Sequence, residues 1–224
     1  MGQHRTNKTC RKQRRKQQRR SADTDRAFVR FMAGVDREAQ DAARKRKENQ
    51  MIWISVDVEA DGPIPGDYSM TEVGAVIVEP SLDRTFHGKL RPISNKWVPG
   101  ALAVSGYSRE ETMNFDNPQT VMENFAAWLN EASGGKRVGF IADNNGFDWM
   151  FCCWYFHHFT GQNPFGHSST NLGSLYKGMQ RDMRQNFKHL RKIKHTHNPV
   201  DDARGNAEAL LTMQVEMGLK IKLG

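Results

Sequence analysis

One stretch constrains this chain more than any other: the run Met51-Ile52-Trp53-Ile54-Ser55-Val56, followed at once by Asp57-Val58-Glu59. Its apolar, β-branched and aromatic content over a short length predicts a largely buried strand in the middle of a sheet. Residues two apart on a strand share a face, so Asp57 and Glu59 point the same way from the end of that strand. Adjacent carboxylates repel, and a hard cation such as Mg²⁺ or Mn²⁺ relieves the repulsion. A strand end in water would carry the same two acids, so the pair needs partners before it implies metal.

Two later segments supply them. The strand predicted over Arg137-Val138-Gly139-Phe140-Ile141-Ala142 leads through a turn to Asp143-Asn144-Asn145-Gly146-Phe147-Asp148. Asn144 or Asn145 can cap a helix whose apolar stripe is Phe147, Met150, Phe151 and Trp154, at spacings of three and four. Asp148 falls in its first turn, where the positive helix end stabilises a carboxylate whether or not metal is present. Further on, Asn198-Pro199 reads as a helix start, with Asn as cap and Pro where its missing N–H costs nothing. That helix is predicted to run to about Met217, with Ala203, Ala207, Leu210, Leu211 and Gln214 on one face and Gly218 as its stop. Asp202 lies near its beginning. His197 lies in the loop before it, free to swing towards a water, and histidine is the side chain best suited to take a proton near neutral pH.

Each of these elements follows a segment that would deliver it to one edge of an open sheet, and ligands in such sheets gather at strand carboxyl ends. On these residues the chain resembles the DEDDh family of 3′-to-5′ exonucleases, which includes proofreading subunits, oligoribonucleases and ribonuclease T. The likeness runs from about Ile52 to Met217. It rests on Asp57-x-Glu59, on Asn144 with three residues before Asp148, and on His197 with four residues before Asp202. Met70-Thr71-Glu72-Val73-Gly74-Ala75-Val76 also looks like the family's second strand, and residues 102–111 resemble the Gly-containing segment before its first long helix.

The fold expected is α/β, a ribonuclease H-like mixed five-stranded sheet with flanking helices. Strands near 52–58, 70–79 and 84–91 form its antiparallel part, a helix spans about 118–131, a strand covers 137–142, and helices lie near 146–158 and 199–217. The resemblance implies two Mg²⁺ or Mn²⁺ ions per site. Asp57, Glu59 and Asp202 would bind the tighter ion, Asp57 would bridge to the second, Asp148 would hold that second ion, and His197 would be the base. Release of nucleoside 5′-monophosphates from a free 3′ end would follow. Two departures stand out: Asp143 occupies a position where many relatives carry His, and Asp201 beside Asp202 is a competing carboxylate.

Charge divides the chain. Its net +8 lies wholly within residues 1–50, which hold sixteen Lys and Arg against six Asp and Glu, leaving a net of −2 on the rest. Residues 1–22 are expected to be a basic disordered arm, because the 11–20 run cannot bury apolar surface. Its natural contact is with phosphates, and salt would weaken it. Over residues 23–50 the recurrence of Phe28, Phe31, Met32, Val35, Ala39 and Ala42 at three or four predicts an amphipathic helix, open to packing on the exonuclease domain at 51–224, to self-association through residues 25–48, or to a partner.

Substrate contacts are expected from Tyr107, which would stack a terminal base, from Asn144, and from Lys188 and Arg191 in a second basic stretch with Arg184, Lys192 and Lys194. The implied partner is nucleic acid with a 3′ end, DNA or RNA, expected to be single-stranded. No run approaches the eighteen or so apolar residues of a membrane span, and the three cysteines suit a reducing compartment, so a cytoplasmic site is expected. Two other functions fit the same chain: an endonuclease or other nucleotidyl-transfer enzyme of this fold, and a nucleic-acid-binding protein whose exonuclease domain has lost its chemistry.

Overall fold

A computed structural model describes residues 51–223; the expected basic arm and amphipathic helix lie outside the described residues. Five strands form one sheet: β1 (Met51–Ala60), β2 (Met70–Ile77), β3 (Thr85–Lys89), β4 (Arg137–Ala142) and β5 (Ser169–Asn171). Their order is β3-β2-β1-β4-β5. β1 is central, antiparallel to β2 and parallel to β4, while β2 and β3 pair antiparallel and β4 and β5 parallel. The helices are α1 (Pro99–Val104), α2 (Arg109–Thr112), α3 (Pro118–Ser133), α4 (Asn145–Thr160), α5 (Leu172–Gln180) and α6 (Pro199–Met217). This is the mixed five-stranded sheet with flanking helices that the sequence predicts.

Strand alternation assigns each face. Ile52, Ile54, Val56 and Val58 of β1 join Val73, Ala75 and Phe140 in a core with α3 and α4, where Phe125, Phe151, Tyr155 and Phe156 are fully buried. The intervening residues of β1 turn to the other face, which α5 and α6 cover with a core of Val76, Ile141, Leu172, Ala203, Ala207, Leu210 and Met213. Asp57 and Glu59 belong to that second face, opposite Gly74 and Glu72 of β2 in the strand register.

Gly74 is what lets α6 come so close. A Cβ at that position would lie 2.2 Å from the carbonyl carbon of Pro199, an impossible separation, so the first turn of α6 sits directly on β2. The side chain of Asn198 accepts hydrogen bonds from the N–H groups of Val200 and Asp201, capping the helix as its sequence indicates. The buried stripe of α6 is Asp202, Ala203, Gly205, Asn206, Ala207, Ala209, Leu210 and Met213, so Met213 faces inward where Gln214 was expected. Small residues dominate it, as a close approach demands.

Four elements escape sequence reading: β5, α1, α2 and α5. β5 has three residues, and α2 has four held by a capping box between Ser108 and Glu111. Neither length carries a readable period. The segment containing α1 and α2 is anchored instead by a tertiary ion pair. Arg109 Nη1 meets the fully buried Asp61, just past the end of β1, at 2.6 Å, and the same guanidinium donates to the carbonyl of Ser94. Among the described residues no helix is long and apolar enough to cross a membrane.

Candidate active site

The end of β1 and the start of α6 bring three acids together. Asp57, Glu59 and Asp202 each offer an oxygen, and these oxygens all lie within 4.8 Å of one another. Asp148, buried in the first turn of α4, accepts a 3.1 Å hydrogen bond through Oδ1 from the N–H of Val58, the residue between Asp57 and Glu59. Its Oδ2 is buried with no hydrogen-bond partner among the described residues. Asp148 is not one of the three converging acids, but its charge acts on Asp57, and a buried carboxylate oxygen without a partner is a costly arrangement unless a proton or a cation completes it.

The protonation behaviour records that cost. Burial, then the charges of Asp148, Glu59 and Asp202, push the Asp57 carboxyl well above the usual carboxylate range, against an opposing pull from Arg191. Burial likewise raises Asp148, offset by the Val58 hydrogen bond and reinforced by Asp143 and Glu59. Glu59 is raised from 4.5 to about 7 by burial, by Asp202 and by Glu72. Like charges that hold each other protonated mark a site built for positive charge. An all-oxygen donor set suits a hard divalent ion.

Asp202 is held by the loop before it. The N–H of Thr196 reaches its Oδ1 at 3.2 Å and that of His197 its Oδ2 at 2.9 Å. His195 Nδ1 also lies 2.8 Å from Oδ1. His197 adopts φ 60°, in the left-handed region, and its half-exposed ring places Nδ1 4.0 Å from Glu59 Oε1. The rings of His195 and His197 meet edge to face at 4.2 Å. Sequence reasoning passed over His195; a second imidazole two residues before His197 was the available signal. The rival acid Asp201 turns instead to Arg204, 3.3 Å away.

Of the substrate-contact residues, Tyr107 is half-buried, bonded through its hydroxyl to Lys89 Nζ at 2.5 Å and set edge to face against Phe115. Asn144 is exposed and precedes α4; its carbonyl accepts from Phe147 and Asp148, while its side chain makes no capping bond. Lys188 is exposed in a short 3₁₀ turn, Lys188–Leu190, and the rest of the basic stretch around it is loop. Arg191 departs from expectation. Its side chain is only 6% exposed and bonds Asp143 Oδ2 at 3.1 Å and Asn206 Oδ1, which removes it from any surface a strand could follow. Trp149 packs edge to face on Phe140.

A mixed sheet with β1 at its centre and a carboxylate cluster at the carboxyl end of that strand defines a nuclease of the ribonuclease H-like kind. The chain is 39% identical over 137 residues to the 3′-5′ DNA exonuclease Cap18 of Escherichia coli, a match covering 59% of this chain and 72% of that protein. Among solved structures it is similar to the nuclease domain of 3′hExo, a DEDDh family member bound to rAMP, with a TM-score of 0.55 and 14% identity over 77% of this chain and 95% of that one. It is also similar to Escherichia coli exonuclease I in complex with a dA16 oligonucleotide, with a TM-score of 0.57 and 17% identity over 75% of this chain. It spans 41% of exonuclease I. No protein-family model matches. The chain belongs to the DEDDh family of 3′-5′ exonucleases.

Proposed function

We propose that this exonuclease shortens single-stranded DNA from a free 3′ end, releasing nucleoside 5′-monophosphates with the help of two Mg²⁺ or Mn²⁺ ions. The observation that carries this reading is the convergence of Asp57, Glu59 and Asp202 oxygens within 4.8 Å, with Asp148 bonded to the backbone between the first two. DNA is favoured because the 39%-identical relative is named a DNA exonuclease.

Asp57, Glu59 and Asp202 would hold one ion, Asp57 would reach the second, and Asp148 would complete that second position with its Oδ2, which has no partner among the described residues. Lewis acidity at the scissile phosphate is what such ions supply when bound. The remaining work falls to the protein. His197, on a half-exposed loop beside Glu59, takes the proton of the attacking water. The loop's two N–H groups keep Asp202 aimed at the cluster. Tyr107, fixed by Lys89 and Phe115, presents a ring face or edge to the terminal base, and the exposed Asn144 and Lys188 contact the strand beside it.

The test uses 5′-labelled single strands of DNA and RNA, each with a free or phosphate-blocked 3′ end, with Mg²⁺ or a chelator. The expected result is stepwise shortening of unblocked DNA that the chelator stops. Cutting of blocked strands would instead identify an endonuclease, and binding without cutting an inactive domain.

A further inference from the structure

Arg191 has the least exposed of the basic side chains near the site, and it touches no substrate-facing surface. Its Nη2 donates both to Asp143, in the turn between β4 and α4, and to Asn206, one helical turn past Asp202 on α6. Its stem lies against Gly205, where a Cβ would stand 3.2 Å from Arg191 Cδ, and its guanidinium sits over Phe187 at 5.2 Å. Phe187 is itself buried and anchors the loop that precedes His195. One guanidinium therefore ties together the turn that launches Asp148, the helix that carries Asp202, and the loop that carries His197.

We propose that Arg191, acting through Asp143 and Asn206, is a positioning residue that holds the α4 and α6 halves of the metal site at their working separation. The inference rests on the exonuclease site described above. It also accounts for Asp143: an acid beside a carboxylate cluster would harm the site unless a cation claimed it, and Arg191 does so at 3.1 Å. A single Nη2 serves acceptors on two separate elements while the guanidinium carbon lies over the Phe187 ring, a combination that suits the weakly hydrated, delocalised cation of Arg better than the compact ammonium of Lys. Groups that bond a metal ligand directly change metal affinity by ~10–100-fold when lost, and Arg191, acting one contact further out through Asp143 and Asn206, is expected at the low end of that range.

The test is calorimetric titration of the full chain with Mn²⁺ alone, alongside far-UV circular dichroism and steady-state kinetics. Asp143→Asn and Arg191→Lys are expected to keep the fold and bind Mn²⁺ at least about tenfold more weakly, with kcat recovering towards wild type as Mn²⁺ is raised. Arg191→Met separates geometry from charge. Loss of position weakens Mn²⁺ binding, whereas removal of a mere repelling cation near Asp57 tightens it, and tightening would overturn the proposal. So would Mn²⁺ affinity within about twofold of wild type in both Asp143→Asn and Arg191→Lys. Should the Arg191 variants fail to fold, Asn206→Ala, which removes the acceptor on α6 without changing charge, decides by the same criterion. Failure of the wild-type chain to take up Mn²⁺ would count against the exonuclease site itself and not against Arg191.

Discussion

The two faces of the sheet are built to different specifications. On the α3–α4 side, large rings fill the space: Phe86 stacks on Phe125 at 4.6 Å, and Phe125, Phe156 and Phe165 pack in a contiguous group. On the α6 side, Gly74, Ala203 and Ala207 keep the layers close, and buried polar groups such as Asp202 and Asn206 lie within the packed layer. The first face is a source of stability. The second gives up apolar bulk so that a helix can place a carboxylate beside two on a strand, and its acids repel until a cation arrives. Both faces read from the same strand, because even-numbered residues of β1 serve one and odd-numbered residues the other.

That contrast can be broken most severely at Asp57. Asp57→Ala is expected to show no turnover above background at any Mg²⁺ or Mn²⁺ concentration while its thermal unfolding stays close to wild type or rises, since it removes a carboxyl that burial and its neighbours disfavour in ionised form. Normal turnover would refute its assignment to the site. Phe125→Ala is the opposite experiment: it should cost about 3–5 kcal/mol in denaturant unfolding, yet leave the Mn²⁺ affinity of the folded fraction unchanged. A matching loss of metal binding would mean that the two faces are not separable.

Gly74→Ala probes the close approach itself. The added methyl must displace the start of α6, an overpacking penalty of about 1–3 kcal/mol, and Asp202 moves with the helix. Mn²⁺ titration should therefore weaken by more than the stability loss would suggest. If unfolding free energy falls while metal affinity holds, Asp202 is being positioned by its loop and not by the helix.

The smallest expected effect is in pH dependence. Burial, Asp202 and Glu72 hold Glu59 near 7 against an ordinary 4.5. A carboxyl whose folded value is raised contributes stability below its unfolded value, and that contribution disappears as pH rises through the folded one. The melting temperature of metal-free protein should accordingly fall between pH 4.5 and about 7. Bound cation favours the ionised form, so Mn²⁺ should raise the melting temperature more at pH 8 than at pH 5.5. Equal metal-induced shifts at the two pH values would show that Glu59 takes no part.

The strand, its paired acids, the cap at Asn198 and the first-turn position of Asp148 were legible because each rests on short-range rules: alternation, capping and helix spacing. The short elements β5 and α2 were not, since three or four residues hold no period and their positions follow from pairing with β4 and from the Asp61–Arg109 bond. His195 was passed over, and Arg191 was misjudged for a related reason. Arg191 looked like one more member of a basic substrate-facing stretch, and composition cannot say which cation in such a stretch turns inward. Phe187 and Gly205, distant in sequence, make the room for Arg191.

What the sequence by itself determined was the kind of chemistry: which acids, on which elements, in an order that one family of folds brings to a single sheet edge. Only the tertiary structure decided how those acids are held. The bond from Val58 to Asp148, the loop folded onto Asp202 and the guanidinium joining Asp143 to Asn206 all depend on contacts between elements that the chain brings together only on folding. Local rules act over a few residues, whereas burial and charge act through space, so the second set becomes visible only when the chain has closed on itself.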